Sequence, residues 1–140
     1  LYMPKFGVIG SAAGWPTLLA NLPKLKKLVI GVTAETTKRS GSLLNLTAST
    51  ELVDFRIGEG QNSSMNIKTW NPTSVLSDSE RLPEFLSNFQ TYIADRVADR
   101  TGKTALTLTL SAAVYEALQA QEGQTILATL TNKNWNVAQA

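Results

Sequence analysis

Along residues 27–70 apolar side chains recur at every second position, and from Leu82 to Val97 they recur at helical spacing, with Asn71-Pro72 between the two regimes. A strand turns alternate side chains to opposite faces, whereas a helix gathers positions three and four apart on one stripe. A chain with both patterns has to pack a β layer against a helical one, so the expected class is α+β.

Within the β part, Leu28, Ile30, Val32 and Ala34 share one face of a strand expected over 27–37. Lys38-Arg39-Ser40-Gly41 then offers a turn, and the run from Leu43 to Thr50 is expected to fold back as a hairpin with Leu44, Leu46 and Ala48 on its buried face. Beyond Ser49-Thr50 the phase slips by one, so that Val53, Phe55 and Ile57 become the apolar series and a bulge near 49–51 is expected. Gly58-Glu59-Gly60-Gln61-Asn62 reads as a second reversal, and Met65, Ile67 and Thr69 as a third strand with Asn66, Lys68 and Trp70 opposite. The expectation is an antiparallel β-meander over about 27–70.

Leu82, Phe85, Leu86, Phe89, Ile93 and Val97 form one stripe of a long amphipathic helix expected over about 79–101, lying on the meander. Asp78 and Ser79 are candidate N-caps, Pro83 fits the first turn, and Gly102 is placed to end it. A short strand–helix–strand unit is expected over about 104–135. It comprises a strand with Leu106, Leu108 and Leu110 on one side, a helix over 112–121 capped by Ser111, and a final strand over 125–135. The pairing direction of its two strands stays open, because a parallel pair needs a longer crossover than this helix supplies. No internal repeat is legible.

At 140 residues the expectation is a single domain, 1–140, with an N-terminal arm over 1–23. Only 17% of residues are charged, against roughly 25% in ordinary globular chains. Thr, Ser and Asn supply the polar surface instead, which permits close packing of like subunits. The chain has no Cys and no His. Disulfides, thiolate nucleophiles, imidazole bases and the usual zinc ligand sets are thereby excluded. No apolar run approaches the roughly 20 residues that span a bilayer, and the start lacks the pattern of a signal peptide. No membrane partner and no cofactor are expected. The first residue is Leu rather than Met, which leaves processing or truncation open.

Several motifs fail on spacing. Gly7, Gly10 and Gly14 do not make the G-x-G-x-x-G turn that lets backbone approach a pyrophosphate. Glu51, Asp54, Glu59 and Lys68 hold the residue types of a carboxylate or metal-dependent active site, but alternation sends them in different directions and solvated surface is the plainer reading. Tyr92 sits one position before the stripe residue Ile93 and is expected to border the core. Asp95, Arg96, Asp99 and Arg100 read as a mixed solvated face.

Charge is unevenly distributed. Residues 1–41 carry Lys5, Lys24, Lys26, Lys27, Lys38 and Arg39 against Glu35 alone, a net +5 within an overall +2. Such a layout suits contact with a polyanion or head-to-tail contact between identical subunits. If the meander buries its apolar face, the other displays Thr33, Asn45, Thr47, Arg56, Asn66, Lys68 and Trp70, a surface able to hold RNA or single-stranded DNA by charge and stacking. The candidate nucleic-acid-binding residues are therefore Lys24, Lys26, Lys27, Lys38, Arg39, Asn45, Thr47, Arg56, Asn66, Lys68 and Trp70; no catalytic or metal-ligating set is assigned.

The expected function is that of a non-enzymatic, self-assembling structural subunit, a viral or phage coat protein located in the virion, with copies of itself and RNA as partners. A meander followed by helices is similar in layout to single-stranded RNA phage coat proteins, although the strand–helix–strand ending departs from a purely helical C-terminus. The alternatives are a single-stranded nucleic-acid-binding module that forms no particle, and a small enzyme using carboxylates with Lys or Tyr.

Overall fold

A computed structural model describes residues 2–3, 21–30 and 45–140 of the chain. Expectations for the N-terminal arm, the glycines at 7, 10 and 14, the second half of the 27–37 strand, the turn at Lys38-Arg39 and the start of the following strand lie outside the described residues.

The fold is α+β, but its strands are parallel, in two small sheets. The first contains β1 (Tyr2–Met3), β2 (Lys27–Ile30) and β3 (Asp54–Arg56), in that order. The second contains β4 (Met65–Ile67), β5 (Leu106–Leu110) and β6 (Trp135–Gln139), again in chain order. The antiparallel meander is thus overturned. Residues 45–50, expected to run back as a strand, form tight turns in which Leu46 O accepts from Ser49 N at 3.0 Å and Ser49 O from Leu52 N at 3.2 Å. At the second expected reversal, Gly60 takes a φ of +69°, yet the chain moves on into the second sheet rather than returning along β3. Alternation fixes which face a side chain takes; it carries no information on strand direction.

Parallel neighbours require crossovers long enough to hold helices. Between β4 and β5 the chain forms α1 (Thr73–Leu76) and α2 (Leu82–Phe89), which runs straight into a π-helical turn at Gln90–Ala94. The helix expected over 79–101 is therefore shorter, 82–94. Asp78 prepares its start, its Oδ1 accepting from Glu80 N at 2.9 Å. Its end is held by Lys133, whose Nζ donates to the carbonyls of Ala94, Asp95 and Val97 at 2.9, 2.7 and 3.2 Å. Residues 95–101 have left the helix, and Val97 forms a parallel bridge with Gln61.

Between β5 and β6 lie α3 (Ala112–Gln119), a 3-10 turn (Gln121–Gly123) and α4 (Gln124–Asn132). Ser111 caps α3 as expected, accepting weakly from Val114 N at 3.5 Å while donating to the Trp70 carbonyl at 2.6 Å. The strand expected over 125–135 is instead α4, with β6 displaced to 135–139. Ile126 and Leu130 are its buried stripe and Leu127 is half-buried, a helical pattern that a short apolar run disguises. With two helices available, the crossover is long enough and β5 pairs parallel with β6.

The two sheets are linked by a winding path. Residues 57–61 run beside 92–98: Ile57 N donates to Tyr92 O at 3.4 Å, Gly60 N to Arg96 O at 2.8 Å and Ala98 N to Gln61 O at 3.3 Å. Residues 54–67 and 92–110 are thus successive turns of one coil, the later stacked on the earlier. Strands begin at residues 2, 27 and 54 in one sheet and at 65, 106 and 135 in the other. Steps this unequal leave no repeat in the sequence.

One continuous cluster fills the interior, including Leu28, Leu46, Phe55, Ile57, Met65, Ile67, Phe89, Leu108, Leu110, Val114 and Trp135. At its centre Trp70 lies 5.1 Å from Phe55, 5.2 Å from Phe85 and 5.9 Å from Phe89, ring centroid to centroid. No described helix is long and apolar enough to cross a membrane.

Candidate functional site

Burying one face of each sheet places the alternate residues on the other. In β2 and β3, Leu28 and Phe55 are register partners and both enter the core. Lys27, Val29, Asp54 and Arg56 are therefore turned the opposite way. Lys27 faces Asp54 and Val29 faces Arg56 in the ladder.

Asp54 organises this group although it is only 7% exposed. Arg56 Nε donates to its Oδ1 at 2.8 Å and Oδ2 at 3.0 Å, and Arg56 Nη2 donates to Oδ2 at 2.8 Å. Lys27 Nζ lies 3.5 Å from Oδ2. The Asp54 hydrogen bond raises the pKa of the Arg56 guanidinium, outweighing the opposing effect of burial. A guanidinium gripped this way by its edge is fixed in plane as well as in place.

The plane of Arg56 meets an aromatic ring. Its guanidinium carbon lies 3.7 Å from the centroid of Tyr92, which the π-helical turn delivers beside Ile57. Arg96 approaches the same ring at 5.4 Å and donates from Nη1 to the Ile57 carbonyl at 3.1 Å. Cation–ring contacts contribute roughly 0.5–1 kcal/mol when exposed and about 2 when desolvated. The result is a half-exposed patch holding Lys27, Arg56, Arg96 and Tyr92, with Asp54 the carboxylate within it. Among the described residues Arg56 Nη1 has no acceptor.

Of the eleven residues expected to contact nucleic acid, Lys27 and Arg56 are brought together here. Lys24 leads into β2 but its Nζ lies 2.7 Å from Glu51 Oε1, and this hydrogen bond holds the Glu51 carboxyl below the usual carboxylate range. Lys26 is exposed beside them. Asn45 and Thr47 occupy an exposed turn in which Asn45 Oδ1 accepts from Thr47 N at 3.2 Å. Asn66 belongs to the second sheet and Lys68 to the turn just after β4, and Asn66 Oδ1 accepts from Lys68 N at 3.3 Å. Lys38 and Arg39 lie outside the described residues.

Trp70 departs from expectation most clearly. It is 1% exposed, and its Nε1 donates to the Leu52 carbonyl at 3.3 Å, so no base can stack on it. Strand β4 ends at Ile67, whose carbonyl accepts from Trp70 N at 3.0 Å in a turn. That turn resets the alternation and directs the indole inward.

Sequence reasoning missed Tyr92 and Arg96 as members of the patch. The available signal was local only: an aromatic one step off the apolar stripe, followed by an arginine. Nothing in the sequence tied them to Arg56. The carboxylates weighed as an acid–base set are dispersed, with Glu51 bound to Lys24, Asp54 to Arg56 and Glu59 exposed in a bend.

The outward face of the second sheet is different in kind. Met65, Ile67, Leu108, Leu110 and Trp135 are buried, so the opposite face carries Asn66, Thr107, Thr109, Asn136 and Ala138, with no charged residue among its strand positions. In register, Asn66, Thr109 and Ala138 form one row across it. Comparison with protein-family models, with curated proteins and with solved structures finds no match for this chain.

Proposed function

We propose that this chain is a non-enzymatic structural subunit that works by association with copies of itself, as a coat protein in a virion does. The supporting observation is the state of the second sheet. Parallel sheets are almost always covered on both faces, and free strand edges recruit further strands. Here the outward face is uncharged and built from small polar residues. Strand β6 pairs with β5 on one side only, and among the described residues nothing pairs with its other edge. Ala140 N donates to Leu110 O at 2.8 Å, so the two-residue period points the Val137 and Gln139 N–H groups toward the open edge. A second copy placed there would extend the coil head to tail, a contact that closes into a ring or runs on as a filament. Light scattering across a concentration series tests this reading.

A second reading, single-stranded nucleic-acid binding without a particle, is favoured by a separate observation. The patch of Lys27, Arg56, Tyr92 and Arg96 combines cations with a planar ring. Its charge is modest, and Asp54 and Glu51 already engage several of the nearby cations. Titration with a fluorescent single-stranded oligonucleotide at two salt concentrations tests it, because phosphate contacts must weaken as salt rises.

A further inference from the structure

We infer that the Arg56 guanidinium is a stacking platform for one base of a single-stranded nucleic acid, with Lys27 and Arg96 receiving the flanking phosphates. This deepens the second reading above and is independent of whether copies of the chain assemble.

The geometry of Arg56 carries the inference. Three features of a platform are present at once. Its edge is fixed by three hydrogen bonds to Asp54 at 2.8–3.0 Å. One face rests on Tyr92 at 3.7 Å. The side chain nevertheless remains 28% exposed, so part of it stays open to solvent. A planar cation held flat matches a base, which stacks on guanidinium planes as it does on aromatic rings.

Phosphate-type charge lies close to the platform. Lys27 lies across the β2–β3 ladder, at 50% side-chain exposure. Arg96 approaches the same Tyr92 ring at 5.4 Å, and its Nη1 donates to the Ile57 carbonyl. A strand with one base stacked on Arg56 would thus have two further cations close by for its phosphates. Since the platform reads a π-face and not a base edge, little sequence preference is expected.

The test uses fluorescence anisotropy with a short poly-dT oligonucleotide, its ribose counterpart, and an abasic oligonucleotide with the same number of phosphates. Binding of poly-dT should exceed that of the abasic strand by at least about 5-fold. Arg56→Lys keeps the charge and the reach to Asp54 but loses the plane, and should remove most of that difference. Tyr92→Leu, which leaves the Asp54 pair in place, should act in the same direction. Arg96→Gln should lower the salt slope by about one while retaining the preference for bases. Circular dichroism establishes folding of each variant; if Arg56→Lys does not fold, Tyr92→Leu and the abasic strand decide. Equal binding of normal and abasic strands overturns the platform yet leaves nucleic-acid binding standing. No binding of any strand at low salt overturns both.

Discussion

The indole of Trp70 is stacked on the ring of Phe89, their centroids 5.9 Å apart and their planes within 2° of parallel, so the end of the β4 turn is clamped onto helix α2. The same residue ties two further parts of the chain together. Its Nε1 donates to Leu52 O, and its carbonyl accepts from Ser111 at the start of α3. Trp70→Ala should therefore lower stability by about 3–5 kcal/mol, the range for deleting a large buried aromatic. Urea unfolding measures it, and a loss below about 1 kcal/mol would show that Trp70 is not central to the core.

Gly123 is closed to any side chain. A Cβ there would sit 2.5 Å from both the Cα and the carbonyl oxygen of Leu118, which are backbone atoms that cannot rotate away. Gly123→Ala is expected to cost roughly 1–3 kcal/mol as α3 and the 3-10 turn are pushed apart. Gly60 differs: it has open space around its Cα but a φ of +69°. Gly60→Ala should cost roughly 1–2 kcal/mol, through backbone strain alone.

Lys133 holds the chain where helix gives way to coil, its ammonium shared among the carbonyls of Ala94, Asp95 and Val97. Lys133→Met preserves the stem and deletes the donors. Amide exchange over residues 95–98 should quicken, and stability should fall by about 1–3 kcal/mol as part-buried acceptors lose their partner. Unchanged exchange in that segment would count against this account of where the helix ends.

Acid should weaken the fold in a defined direction. The Glu51 carboxyl is held low by Lys24, that of Asp78 by Arg81, and that of Asp99 by Thr101. A carboxyl whose folded pKa is depressed contributes stability above its unfolded pKa and loses it as pH falls through the folded one. Thermal midpoints should therefore be flat above the ordinary carboxylate range of about 4 and fall below it. Asp99 is exposed and Glu51 and Asp78 are half-exposed, so added salt should shrink the effect. A midpoint that rises on acidification would contradict the assignment.

Much of the local structure is legible from residues alone. Leu106, Leu108 and Leu110 announce β5, Ser111 announces the start of α3, and the stripe from Leu82 to Ile93 announces α2. The stripe also includes Val97, which lies outside the helix, because a position spaced for a helix fits equally well in the coil stacked on Gln61. What is lost is the relation between segments. The turn residues around Gly60 are compatible with a hairpin or with a step to the next sheet, and no local preference separates the two. Of the patch, Lys27 and Arg56 can be named from alternation, whereas Tyr92 joins them only through a π-helical turn and a crossover between strands.

The central claim is association of copies through the open edge of β6, and light scattering of the native chain beside Gln139→Pro tests it most directly. Proline removes one N–H that points to the open edge and leaves the Ala140 bond to Leu110 on the inner side. The account predicts that mass rises with concentration for the native chain and stays monomeric for the variant. A native chain that is monomeric throughout, or a variant that associates as the native chain does, would contradict it.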